Sequence, residues 1–109
     1  MKSAKEWLDE VSKSLNIEEK QGQGEKLSKV LLTSSNLISR QRKGEAEINN
    51  EQAKQIAKIL KINPMLVIAS TSYQKCIKTK EIESAKEWKN IYERVQKEEE
   101  IEKQTETME

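Results

Sequence analysis

The chain has 109 residues, 34% of them hydrophobic and 36% charged, with one cysteine, one proline, three glycines, no phenylalanine and no histidine. That length suits one domain with a thin core and a heavily charged surface, and a composition rich in Lys, Glu, Ile and Gln favours helices over sheets. Without histidine the usual general base and the commonest metal ligand are missing, and a lone Cys76 makes neither an internal disulfide nor a thiolate cluster, so neither an enzyme nor a metal or other cofactor is expected.

Ser3-Ala4-Lys5-Glu6 is a capping box that opens a helix with Ala4, Trp7, Leu8, Val11 and Leu15 on its inward face. Trp7, at helical spacing with Leu8 and Val11, reads as core rather than as a base-stacking residue. Between residues 16 and 25 the pattern breaks. Gly22 and Gly24 suggest a flexible approach to the next helix, whose N-terminus around Gln23 and Gly24 is then free to meet a phosphate through backbone N–H groups. A Gly-x-Gly without a preceding strand or a third glycine is no nucleotide fingerprint.

Residues 26–44 organise the rest. Leu27 and Leu31 stand one turn apart with Val30 beside them, and Ser28 is small enough to let another helix approach. Thr33-Ser34 interrupts, Ser34 serves as N-cap of a second helix running to Lys43, and Gly44 stops it in the left-handed conformation that glycine reaches without penalty. At about 100° per residue, Leu37, Ile38 and Gln41 share one side of this second helix, and Asn36, Ser39, Arg40 and Lys43 share the other. The second group is either a solvated polar face or a reading face, since Asn pairs with adenine, Arg forks onto guanine and Ser donates or accepts.

Residues 45–48 form a loop. Asn49-Asn50-Glu51-Gln52 is a second capping box, starting a helix with Ala53, Ile56, Ala57, Ile59 and Leu60 inward and Lys54, Lys58 and Lys61 outward. Asn49 and Asn50 serve either this local cap or a DNA phosphate. Asn63 caps the following helix with Pro64 at its first position, and the run Met65, Leu66, Val67, Ile68 and Ala69 exceeds one helix face, so the last helix or a second copy is expected to cover part of it. Ser70-Thr71-Ser72 is expected to weaken that helix before Tyr73, Cys76 and Ile77, with Cys76 half-buried and inert. Thr79 is the expected cap of a final helix over about residues 80–96, in which Ile82, Ala85, Trp88, Ile91, Tyr92 and Val95 form a stripe for closing the core or for dimerisation. Residues 97–109, rich in Glu, read as a disordered acidic tail.

Leu27-Ser28, Ser34-Ser35-Asn36-Leu37-Ile38-Ser39-Arg40 and Gly44, followed by a capped helix and Ile62-Asn63-Pro64, resemble the Cro/lambda-repressor-like helix-turn-helix family, also called XRE, and its small phage-encoded regulators most of all. The resemblance covers roughly residues 1–95. It implies an all-α domain of five to six helices over residues 1–96, with the helix-turn-helix at about residues 25–44 and a long C-terminal helix. It further implies a dimer on a palindromic operator, with Ser35, Asn36, Ser39 and Arg40 at base-reading positions and Ser34 and Lys43 at phosphate-holding ones. The chain departs from the family at Leu32, where glycine is common in the turn, at Gln41, where an apolar residue is usually buried, and at Leu37, where a smaller residue is common. A left-handed Leu32 costs on the order of 1–2 kcal/mol, so either the first helix runs on through it or the turn is strained.

Charge points the same way. Residues 26–61 hold eight basic and three acidic groups, a balance of +5, whereas residues 1–25 and residues 62–109 each balance to −2. A basic centre in an otherwise acidic molecule attracts phosphates without making the whole surface adhesive. The leading expectation is a cytoplasmic, homodimeric, sequence-specific regulator of double-stranded DNA; that it is a repressor of phage or mobile-element genes is what the resemblance alone implies. The rival is a helical protein-interaction module such as an antitoxin or an inhibitor of a host protein. No run of about 18 apolar residues and no signal-peptide pattern occurs, which carries the cytoplasmic expectation.

Overall fold

A computed structural model describes residues 1–17 and 23–108, and all regular structure among them is helical: α1 Ala4–Ser14, α2 Gln23–Val30, α3 Ser35–Arg42, α4 Asn50–Leu60, α5 Pro64–Lys78 and α6 Ile82–Met108. Four of the expected N-caps are in place, because each rests on a side chain reaching two or three residues along its own chain. Ser3 and Glu6, and Asn49 and Gln52, close reciprocal capping boxes, Ser34 accepts from the Leu37 N–H, and Asn63 accepts from the Met65 N–H just after Pro64. Residues 18–22, including Gly22 of the expected flexible approach, lie outside the described residues.

The core gathers one face from each of α1 to α5. Trp7, Leu8 and Val11 of α1 meet Leu27 and Leu31 around α2, Ile38 of α3, Ile48, Ala53 and Ile56 at α4, and Val67 of α5. Leu15, expected in the inward stripe, is 40% exposed, because α1 ends beneath it with Leu15 as C-cap and Asn16 left-handed at φ 56°. Helices α5 and α6 pack antiparallel-fashion across the tight turn at Thr79 to Glu81, and their contact is the most extensive between any two described helices. The apolar run in α5 is therefore covered from both sides: Leu66, Val67 and Ala69 are buried, while Met65 and Ile68 are half-buried.

Three sequence expectations change at this end of the molecule. Ser70-Thr71-Ser72 does not interrupt α5; Ser70 is fully buried and its hydroxyl donates to the Lys2 carbonyl at 2.7 Å, so the small side chains admit the N-terminal segment instead. Thr79 closes α5 rather than opening α6, its hydroxyl lying 3.1 Å from the Lys75 carbonyl and 3.3 Å from that of Cys76. The stretch expected as a disordered tail from residue 97 continues α6 to Met108. Glu, Lys and Gln are good helix formers, and the Glu99 carboxylate accepts the Asn63 N–H from the neighbouring interhelix turn, which ties the added turns to the body. Cys76, expected half-buried, is buried near the end of α5 with 7% of its surface exposed.

All five helices α1 to α5 end alike. A left-handed residue stands one or two positions past each end (Asn16, Leu32, Gly44, Lys61 and Lys80, with φ of 56°, 55°, 78°, 57° and 61°), and the next N–H reaches back across the turn, as Ile17 does to Ser12 at 2.8 Å and Ile62 to Ala57 at 3.0 Å. Glycine marks one of these five closures in the sequence; the other four carry a side chain through a conformation that disfavours it.

Candidate nucleic-acid interface

Helices α2 and α3 are joined by the four residues Leu31 to Ser34. Leu31 is fully buried and pins the turn from inside, whereas Leu32 is left-handed and 71% exposed. Of the two alternatives for Leu32, the helix running on or the turn being strained, the structure takes the second. The turn is closed by Thr33 N–H donating to the Ser28 carbonyl at 2.9 Å, and Ser28 itself donates to the Glu25 carbonyl at 2.7 Å.

Ser34 begins α3 with extended backbone and accepts from Leu37 N–H at 3.2 Å. The helix ends at Arg42 with Lys43 as C-cap, and Gly44 at φ 78° lets Glu45 N–H return to the Arg40 carbonyl at 2.9 Å. Open space surrounds the position a Gly44 Cβ would take, so glycine is favoured there by backbone conformation and not by crowding.

The two sides of α3 separate as their spacing implied. Ile38 and Gln41 are fully buried and Leu37 is half-buried, while Ser35, Asn36, Ser39, Arg40 and Lys43 are exposed. The side chains of Ser35, Asn36, Ser39 and Arg40 make no hydrogen bond or ion pair among the described residues, so their donors and acceptors are free for an external partner. An α-helix with its side chains is about 10–12 Å across, a width that the major groove of a duplex admits.

Gln41 departs from the usual apolar residue, and the fold supplies the partner it needs. Its Nε2 donates to Gln52 Oε1 at 2.6 Å and to the Glu47 carbonyl at 3.0 Å, and Gln52 Nε2 donates back to Gln41 Oε1 at 2.9 Å. Gln52 Oε1 also accepts Asn49 N–H at 3.0 Å, so one buried amide pair joins the back of α3 to the cap of α4. A doubly satisfied amide pair fixes orientation where an apolar contact would tolerate sliding. Gln52 was legible in the sequence as a capping residue but not as Gln41's partner, because nothing local links positions 41 and 52.

The expected phosphate contacts are spread around this helix. Ser34 and Lys43 stand exposed at its two ends. Gly24 lies inside the first turn of α2 rather than ahead of it, where its N–H still belongs to the unpaired start of the helix; Gln23 begins that helix, and its side chain lies outside the described residues. Asn49 is exposed, but its side-chain oxygen is committed to Gln52 N–H at 2.8 Å, which leaves the amide N–H pair for a phosphate. Arg42 was not singled out by the sequence; it is half-buried, turned into the body of the protein beside Gln41.

Comparison with known protein families, curated proteins and solved structures returns no match for this chain. Among the described residues, no group of His, Cys, Asp and Glu is placed to hold a metal ion, and no helix is long and apolar enough to cross a membrane.

Proposed function

We propose that the chain is a sequence-specific, double-stranded-DNA-binding regulator of the Cro/lambda-repressor-like kind, acting as a repressor of phage or mobile-element genes. One observation carries the reading: a stripe of unpartnered Ser35, Asn36, Ser39 and Arg40 on a short helix whose opposite side, Ile38 and Gln41, is locked into the body. In this reading α3 enters the major groove. Arg40 forks onto the O6 and N7 of a guanine, Asn36 pairs with the N6 and N7 of an adenine, and Ser35 and Ser39 serve either donor or acceptor edges. Lys43, Ser34, the free amide of Asn49 and the first N–H groups of α2 at Gln23 and Gly24 hold phosphates and set the register.

The charge distribution supports this division of labour. The +5 balance lies in residues 26–61, the segment holding most of α2 and all of α3 and α4, so the positive field lies around the reading helix and the flanking segments are net negative. As two copies on a palindromic operator, the protein presents its α3 helices one helical turn of DNA apart, about 34–36 Å.

Selection of bound sequences from a random duplex library, followed by binding titrations across salt concentrations, tests the proposal. The expected result is a palindromic motif, affinity that falls steeply with salt, and a mass in solution of two chains on the DNA. Enrichment of no motif, with equal affinity for every duplex, overturns it; binding to no duplex at all favours the protein-interaction alternative.

A further inference from the structure

Behind the reading helix, a pocket of about 270 Å³ opens between the start of α1, the end of α3 and the last turns of α5. Its wall carries four cations, Lys5, Arg42, Lys43 and Lys78, against one carboxylate, Glu47. That carboxylate is already taken by the Lys78 ammonium, which also donates to the Gly44 carbonyl at 3.1 Å. Lys5, Arg42 and Lys43 form no ion pair among the described residues.

Arg42 is the unusual member. Its Nε and Nη2 are buried, and among the described residues no acceptor reaches either of them. These two nitrogens form one edge of the guanidinium, the pair of parallel N–H groups that matches two oxygens of a carboxylate or a phosphate. A charged edge held dry and unpaired is destabilising, and protein sequences ordinarily supply an acceptor. Here the neighbouring wall offers further cations instead. At about 100° per residue Arg42 stands roughly 20° around α3 from Ser35 and 60° from Ser39, and about 120° and 160° from Asn36 and Arg40, so it borders the serine side of the reading stripe, with its Nε–Nη2 edge buried.

We infer that the pocket is a binding site for a small oxyanion, a phosphate or a carboxylate, gripped by the Nε–Nη2 edge of Arg42 within the positive field of Lys5 and Lys43. Because both nitrogens are shielded from solvent, the anion reaches them through rotation about the arginine's own side-chain torsions, which turns the edge into the pocket and relieves its unpaired state. The site adjoins the proposed DNA surface and shares Lys43 with it, but its grip rests on Arg42, which takes no part in the proposed base or phosphate contacts.

The test is thermal unfolding of the full chain in chloride buffers of fixed ionic strength and pH, with inorganic phosphate or succinate replacing part of the chloride. At saturation one or both anions raise the wild-type midpoint by roughly 4 °C or more, and the larger response tells phosphate from carboxylate. Arg42→Met abolishes the response and raises the midpoint in chloride alone, while Arg42→Lys, which keeps the charge and loses the paired N–H groups, retains less than half of it. In wild-type protein the Arg42 Nε–H resonance moves during the same titration, a readout that does not depend on any variant folding. Equal midpoints in all three salts, an unchanged response in Arg42→Met, or a stationary Arg42 resonance overturns the inference.

Discussion

Replacing the buried amide pair one partner at a time measures how firmly the reading helix is seated. In Gln41→Leu, the two bonds donated by Gln41 Nε2 and the one accepted by its Oε1 disappear, and Gln52 Nε2 is left without its 2.9 Å acceptor in a fully buried position. An orphaned buried amide costs about 1–3 kcal/mol and each lost net hydrogen bond about 1 kcal/mol, partly offset by the added apolar side chain, so a loss of about 2–3 kcal/mol is expected. Gln52→Leu loses the same pair together with the bond from Asn49 N–H, but leaves Gln41 Nε2 its bond to the Glu47 carbonyl, and about 2 kcal/mol is expected. The double variant leaves neither amide orphaned by the other. It should lose about 2 kcal/mol in total instead of the roughly 4–5 kcal/mol of simple addition, a coupling of about 2–3 kcal/mol. Urea unfolding followed by the fluorescence of Trp7 and Trp88 reads all four corners of the cycle, with the slope unchanged and the midpoint of each single variant lowered by about 1–2 M. Losses that add to within about 0.5 kcal/mol would refute the pairing as the device that holds α3 to α4.

Arg40→Ala should weaken binding to the selected DNA site by about 1–3 kcal/mol and relax the preference at one base pair, measured by competition with single-base variants of that site. Lys43→Ala should weaken selected and random duplexes alike and reduce the salt slope by about 1; a loss confined to the selected site contradicts its phosphate role. Leu32→Gly should stabilise the free protein by about 1 kcal/mol, because it relieves a left-handed leucine that is 71% exposed and gives up little packing; a drop in urea midpoint contradicts the strained-turn account. Ser34→Ala should cost about 1 kcal/mol of stability by freeing the Leu37 N–H, and Ser34→Asp should restore it in thermal melts, since either side-chain oxygen caps the helix.

What could be read along the chain was whatever depends on neighbours three or four residues away. The caps at Ser3, Ser34, Asn49 and Asn63, the inward stripe Trp7-Leu8-Val11 and the two-sided character of α3 all obey that local geometry, and the structure shows each of them. Of the helix ends without glycine, Leu32 alone was marked in the sequence, by the resemblance, and even there a continuing helix stood as the alternative. Asn16, Leu32, Lys61 and Lys80 turn left-handed because the packing of the following helix requires the chain to reverse there, and the return hydrogen bond together with buried neighbours such as Leu31 outweighs a local cost of about 1–2 kcal/mol.

The last helix shows the same division in the other direction. Its Glu-rich end reads as too polar to fold by itself, yet α6 runs on to Met108, with Glu99 bound at the Asn63 turn thirty-six positions earlier in the chain. Likewise Gln41 looked like a polar residue misplaced in a docking face until the fold set Gln52 against it, and Arg42, which no local pattern singled out, has two of its guanidinium nitrogens buried by the fold. Helix identity, capping and facing belong to the sequence by itself, because those energies are settled within one turn. Tertiary structure alone decided which polar groups find partners across the core and which are left without one, since that depends on chain segments meeting that no local pattern brings together.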